Sequence, residues 1–266
     1  MIRLIATDMD GTFVKDDKTI EKDAYELITT LNKMGVYFCV ASGRQYWGLK
    51  KSFEAYAPEL LFIADNGAYV VCKGEELYSN VMKPELVQLC LDKIYECKHI
   101  EAMLCGKKSG YTTEPITYDI MGSSRFNYQL ELVDDLRNVK NDDILKISLV
   151  YETKEGREEY QDLCNYLNGK VTMAVSGYEC TDITNLGVSK GEAIEQIQKK
   201  LGISYEETLV FGDNYNDVEM LQKAYYSYAM KNAEKDVQNQ ARFITKLTNN
   251  ENGVVKEIKE LLNLQK

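Results

Sequence analysis

The sequence predicts an α/β chain, a doubly wound parallel sheet into which a separate α+β module is inserted. Three observations carry this. Short apolar runs alternate with amphipathic stretches at both ends of the chain. That rhythm breaks between about residues 83 and 182. Acidic, glycine-containing turns fall directly behind the apolar runs, where open parallel sheets bind their ligands.

Taken in order, residues 2–7 read as a buried strand, followed by a polar loop containing Gly11. Residues 21–34 read as a helix: Ala24, Leu27, Ile28, Leu31 and Met34 fall at helical spacing, and Gly35 stops it. Residues 36–41 are a second buried strand, ended by Ser42-Gly43-Arg44, and a helix is expected over 45–56. Residues 60–64 are a third strand. Asp65-Asn66-Gly67 is a turn, and 69–72 with Lys73-Gly74 reads as a hairpin. Beyond Pro84 a helix is expected over 84–98; the Tyr-, Ser- and Gly-rich stretch 99–145 shows no clear period. Residues 146–151 then read as a strand, 155–168 as a helix and 171–176 as a strand. The βα rhythm resumes with a helix at 189–201, a strand at 208–211 ended by Gly212-Asp213, a helix at 217–223, a strand at 225–230 and a closing helix at 251–263. The expected division is therefore a Rossmann-like core of residues 1–82 and 183–266, with an inserted domain at 83–182.

Composition narrows the function. The 266 residues are 44% apolar and 28% charged, ordinary for a globular chain with a buried core. With 32 Lys and Arg against 42 Asp and Glu the net charge is −10, which argues against a nucleic-acid partner but not against a small anionic substrate in a locally positive pocket. The seven cysteines are odd in number and none forms a C-x-x-C pair, so reduced thiols in a cytoplasmic protein are expected. His99 is the single histidine, and its neighbours suggest no Ser-His-Asp or Cys-His machinery. The opening apolar run is too short for a targeting signal, and no stretch approaches the roughly 18 apolar residues of a membrane span. No membrane partner is expected, and the chain is expected to be a monomer or weak homo-oligomer.

Four constellations carry chemistry. In Asp8-Met9-Asp10-Gly11-Thr12, two carboxylates leave the first strand together; like charges that close raise each other's pKa unless a hard cation such as Mg²⁺ sits between them. Ser42-Gly43, at the end of the second strand, offers a hydroxyl and a backbone N–H to an anion. Lys190-Gly191 opens a helix, where a cation opposes the helix dipole unless it pairs with something. Gly212-Asp213-Asn214-Tyr215-Asn216-Asp217 places a second acidic cluster behind a strand. Each alone also reads more plainly, as a solvated acidic turn, an N-cap, a solvated lysine, and a Gly-Asp turn with an N-cap. Together they fall at strand ends on one edge of the sheet.

In that order the four motifs resemble the haloacid dehalogenase-like hydrolase superfamily. The long insertion, the Asn66-Gly67-Ala68 turn and the Gly187-Val188-Ser189-Lys190-Gly191 run resemble its Cof-type subgroup, which carries a large α/β cap. The resemblance implies a Mg²⁺-dependent phosphatase acting on small phosphorylated metabolites, such as sugar phosphates, through an aspartyl phosphate. It implies Asp8 as nucleophile and Asp10 as general acid and base. It implies Met9, Ser42, Gly43, Lys190 and Asn216 as the phosphate-binding set. The metal would be held by Asp8, Asp10 through its carbonyl, and Asp213, with Asp217 in or near the shell. Tyr111, Arg125 and Tyr178 are candidate cap contacts to the rest of the substrate by chemistry only; for each, an ordinary surface or core residue is the plainer reading. A phosphosugar mutase and a non-catalytic phosphoaspartate switch are the rival readings.

Overall fold

The structure is a computed structural model and describes residues 1–123, 127–151, 153–177 and 180–264. The elements up to the middle of the chain are β1 (Leu4–Asp8), α1 (Lys22–Lys33), β2 (Tyr37–Ala41), α2 (Tyr46–Ser52), β3 (Leu61–Ala64), β4 (Tyr69–Cys72), β5 (Glu75–Ser79), α3 (Pro84–Ile94), β6 (Glu101–Gly106), β7 (Gly110–Thr112), α4 (Pro115–Gly122) and β8 (Leu130–Leu132). After them come β9 (Ile144–Val150), α5 (Lys154–Leu167), β10 (Thr172–Gly177), β11 (Cys180–Thr184), α6 (Lys190–Leu201), β12 (Thr208–Gly212), α7 (Val218–Leu221), β13 (Tyr226–Ala229), α8 (Lys235–Gln238), β14 (Phe243–Ile244) and α9 (Gly253–Leu261). They fall into two compact units. The first is Met1–Ser42, Ala55–Tyr78 and Ser189–Lys266; the second is Gly43–Glu54 and Ser79–Val188.

In the first unit, eight strands form one sheet in the order β14-β13-β12-β1-β2-β3-β4-β5. It is parallel from β14 to β3, and β4 turns back antiparallel. Every residue of β1, β3 and β12 is buried, which a strand achieves when both faces of its sheet are covered. On one face Ala193, Ile194 and Ile197 of α6 join Ala6, Cys39, Ile63 and Val210 in a common core. Helix α6 begins where the Ser189 hydroxyl accepts from the Glu192 N–H (3.1 Å) and ends at Gly202, in the left-handed conformation at φ 60°. Because β12, β1 and β2 pair in parallel register, the turns after all three emerge on the same edge of the sheet.

In the second unit, six strands run in the order β10-β11-β9-β6-β7-β8, antiparallel except for β7 with β8. Cys90, Leu91 and Ile94 of α3 and Leu163 and Leu167 of α5 pack on Leu104, Ile147, Leu149 and Ile183 of the sheet. The alternate positions Lys146, Ser148 and Asp182 therefore lie on its opposite face.

The boundaries differ from the expected 83–182. Residues 180–184 are β11, paired with both β9 and β10, and the Asn185 amide donates to Asn80 Oδ1 (2.7 Å) and to the Val81 carbonyl (2.9 Å). Residues 43–54 group with the second unit because Trp47 donates to the Lys107 carbonyl (2.9 Å) and Gln45 Oε1 accepts from the Gln129 N–H (3.0 Å). The expected helices over 45–56 and 84–98 shorten to α2 and α3. Strands β6, β7, β8, β11 and β14 and helices α4 and α8 had no counterpart in the sequence reading.

Candidate active site

Asp8 is the last residue of β1, and Asp213 follows directly on β12, its register partner. Their turns fit because Gly11, at φ +84°, has no side chain: a Cβ there would stand 2.4 Å from Asp213 Oδ2. The Thr12 hydroxyl instead donates to Asp213 Oδ1 at 2.6 Å. Gly67, at φ +108°, makes a similar approach, since a Cβ on it would meet the Ser189 carbonyl at 2.1 Å. The 65–67 turn thereby packs against the start of α6.

Lys190 begins that helix, where a cation is unfavourable to the helix dipole. Its ammonium is committed elsewhere. It donates to Asp8 Oδ1 and, at 2.6 Å, to Asp217 Oδ1. All three side chains are sequestered: Lys190 is 1% exposed, Asp8 7% and Asp217 0%. The second oxygen of Asp217 accepts from the backbone N–H groups of Asp213 (3.0 Å) and Asn214 (3.1 Å). Asp217 thus holds both the lysine and the 213–214 turn.

One lysine faces three carboxylates. Ligand oxygens of Asp8, Asp213 and Asp217 lie within 4.8 Å of one another, an arrangement that could hold a metal ion. The electrostatics register the excess of negative charge. Burial, and then the charge of Asp217, push the Asp8 carboxyl well above its ordinary value, against the pull of Lys190. Burial also pushes Asp213 up to about 6, although the Thr12 hydrogen bond draws it down. Burial works to lower the Lys190 ammonium, but Asp217 and Asp8 outweigh it, so its pKa is raised and it stays charged. A divalent cation among hard oxygen donors would cancel the surplus, so the residues present fit one.

The other expected site residues sit as follows. Met9 is buried beside Asp8, and its carbonyl closes the turn by accepting from the N–H groups of Phe13 (3.1 Å) and Val14 (2.8 Å). Asp10 stands apart from the buried triad, partly exposed, with Lys18 Nζ donating to its Oδ1 at 2.9 Å. Ser42 is buried at the end of β2; its N–H donates to the Ile63 carbonyl (2.8 Å) and its carbonyl accepts from the Asn66 N–H (3.1 Å). The Asn216 amide donates to Asn66 Oδ1 at 3.3 Å. Gly43 belongs to the second unit, where its carbonyl accepts from Lys146 Nζ at 2.6 Å. Tyr111 follows its plainer reading: it falls on the apolar face of its sheet, in the second unit's own core, with its hydroxyl tied to Asp142 Oδ2 at 3.1 Å. Arg125 and Tyr178 lie outside the described residues. His99 is surface-exposed and pairs with Glu159 at 3.1 Å.

Three residues at this site were given no role by the sequence reading: Thr12 and Asn66, which stand within its motifs, and Lys18. Asn66 carried a local signal. Asp65 and Asn66 both adopt positive φ, at 51° and 56°, a conformation that Asp and Asn tolerate better than most residues and that a D-N-G triplet announces. Thr12 and Lys18 act through partners 201 and 8 positions away, and nothing in their spacing shows it.

Comparison with known proteins accords with this geometry. The haloacid dehalogenase-like hydrolase family matches residues 5–258. A 5-amino-6-(5-phospho-D-ribitylamino)uracil phosphatase, YbjI of Escherichia coli (strain K12), is 33% identical over 265 residues, covering 98% of this chain and 96% of its own. An HMP-PP phosphatase of Cronobacter sakazakii is 28% identical, covering 88% of this chain and 85% of its own. Among solved structures, SMU.1108c of Streptococcus mutans UA159 superposes with a TM-score of 0.86 at 29% identity, over 99% of this chain and 100% of that one. The chain belongs to the haloacid dehalogenase-like hydrolase family.

Proposed function

We propose that the protein hydrolyses small phosphate monoesters to alcohol and inorganic phosphate, with Asp8 as nucleophile and Mg²⁺ as cofactor. The observation that carries this reading is the buried cluster in which Lys190 faces Asp8, Asp213 and Asp217 at the carboxyl edge of the sheet. Asp8, Asp213 and the Asp10 carbonyl would hold the ion, while Asp217, already engaged by Lys190 and two N–H groups, orients the others. The bound ion supplies positive charge between carboxylate and phosphate, which otherwise repel.

An Asp8 oxygen attacks phosphorus, the bond to the leaving oxygen breaks, and Asp10 gives that oxygen a proton. In the second step Asp10 takes a proton from water, the water oxygen bonds to phosphorus and the Asp8–phosphorus bond breaks. The Met9 and Gly43 N–H groups, Ser42, Lys190 and Asn216 grip the phosphoryl oxygens. Lys18 holds Asp10 in place between proton transfers. The second unit serves as the cap that selects the leaving group, and the protein works in the cytoplasm.

The names of the relatives point to phosphorylated metabolites with polar leaving groups, such as a phosphoribitylamino-uracil. A panel of sugar phosphates and phosphorylated pyrimidine intermediates, assayed for released phosphate, tests the proposal. Stoichiometric release that is lost in Asp8→Asn is expected. Isomerised sugar phosphate with little free phosphate would make the protein a mutase, and a stable phosphoprotein without turnover would make it a switch.

A further inference from the structure

We propose that Lys146, paired with Asp182, is a positioning residue for the phosphate-binding turn: it holds the Gly43 carbonyl and so fixes the peptide that follows Gly43, on the far side of the residue whose N–H the turn presents. This rests on the phosphatase reading above, in which the Gly43 N–H grips the phosphoryl group.

The two residues lie on the face of the second sheet turned away from α3 and α5. Register sets Asp182 opposite Ser148 and Lys146 opposite Cys105. Lys146 and Asp182 are each 1% exposed. Lys146 Nζ donates to Asp182 Oδ2 (3.1 Å) and to the Gly43 carbonyl (2.6 Å), and Asp182 Oδ1 accepts from the Ser148 hydroxyl (2.6 Å). Two further bonds tie the same segment at alternate residues, Gln45 to the Gln129 N–H and Trp47 to the Lys107 carbonyl.

A buried ion pair is a poor stabiliser. Its desolvation roughly cancels its attraction, and apolar residues of similar volume commonly do as well or better. The other face of this sheet shows that solution, packed with Leu and Ile. What apolar side chains cannot do is donate to a carbonyl. Gly43 has the widest backbone freedom of any residue; the Asn66 N–H holds the peptide before it through the Ser42 carbonyl (3.1 Å), and the peptide after it needs a second hold if residue 43 is to keep one conformation. A charge-assisted bond from a lysine itself pinned by Asp182 and Ser148 supplies it.

The test uses the full chain and the double variant Lys146→Met/Asp182→Leu, which removes the pair without leaving a lone buried charge. Melting temperature, hydrogen exchange over residues 43–48, and kinetics with p-nitrophenyl phosphate and inorganic phosphate as probes are read together. An unchanged or raised melting temperature is expected, with exchange over 43–48 faster by roughly fivefold or more and unchanged in α3 and α5. kcat/KM should fall about 10- to 100-fold, mainly through KM, with a parallel rise in the inhibition constant of phosphate. Lys146→Arg, which keeps charge and donors, should recover most of the loss. Should the double variant not fold, Lys146→Gln gives the same readouts. Exchange over 43–48 and phosphate inhibition both within twofold of wild type would overturn the proposal. Hydrogen exchange needs no turnover. A wild type that releases no phosphate from any ester therefore sinks the phosphatase reading alone, and residues 43–48 still decide the role of Lys146.

Discussion

Among its described residues the protein buries two lysine–aspartate clusters, one in each unit, and they differ in charge balance. In the second unit, among the described residues, the ion pair is Lys146 with Asp182, one charge against one, and Ser148 and the Gly43 carbonyl bond to it. In the first unit Lys190 meets Asp8 and Asp217 with Asp213 close by, one charge against three. A balanced buried pair has no electrostatic need for anything further and serves as a fixed point. In an unbalanced one, burial first and then the neighbouring carboxylates suppress ionisation, which raises Asp8 and Asp213, and a cation would complete it. Net charge, more than burial, separates the cluster suited to chemistry from the cluster suited to positioning.

Substitutions can break that comparison, beginning with the largest expected effect. Asp8→Asn should lower kcat by about 10⁴-fold or more, because a carboxamide cannot replace the nucleophile. Its melting temperature should hold or rise, since a carboxyl that resists ionisation has been neutralised. Near-native turnover would remove Asp8 from the reaction. Lys190→Met should lower kcat/KM by roughly 10²–10³-fold. It should also destabilise the fold by about 3–5 kcal/mol, because it strands buried carboxylates without their cation. Urea unfolding of this variant beside Lys146→Met/Asp182→Leu sharpens the contrast, and equal stability losses in the two would erase it.

Magnesium should raise the melting temperature of metal-free protein by several degrees at concentrations well above its Kd. The pH dependence follows from Asp213, whose folded value of about 6 lies above the ordinary value of 3.8. Stability of the metal-free protein should fall as pH rises between those two values and level off beyond about 6, since folding binds a proton across that window. Magnesium needs the ionised carboxylate, so its stabilising shift should grow from pH 5 to pH 7. A shift independent of pH would argue against Asp213 as a ligand. The smallest effect belongs to His99→Ala, whose exposed pairing with Glu159 predicts unchanged kcat and a stability change within about 0.5 kcal/mol.

The first unit was legible in sequence because its central strands are buried on both faces. β1, β3 and β12 read as short, mostly apolar runs, and the acids that end β1 and β12, Asp8 and Asp213, are brought together with Asp217. The second unit was legible only in part: α2, α3, β9, α5 and β10 had counterparts in the sequence, and its other elements did not. β7 and β8 are three residues each, and β11 (Cys-Thr-Asp-Ile-Thr) alternates between a helix-covered face and a polar one, so neither length nor apolar content announces a strand. Lys146 and Asp182 passed unnoticed for the same reason. A charged residue inside a strand looks solvated until its hydrogen-bond partner, 36 residues away in another strand, is known. Tyr111 left two readings open in sequence, because an aromatic with a polar tip suits a substrate contact as well as a core, and the pleat turns it into its own core. At the active site, carboxylates at strand ends were readable from position alone, whereas the supporting contacts of Thr12 and Asn66 required the three-dimensional packing of turns across distant motifs.

The proposed reaction depends on Asp8 carrying the phosphoryl group. Acid quenching during turnover of a good phosphate ester, followed by borohydride reduction and peptide mass spectrometry, reads this directly, because reduction converts an aspartyl phosphate to homoserine. Homoserine at position 8 alone, absent without substrate and absent from Asp8→Asn, is the predicted result. Rapid phosphate release with residue 8 recovered only as aspartate, or with the label at another residue, would contradict it.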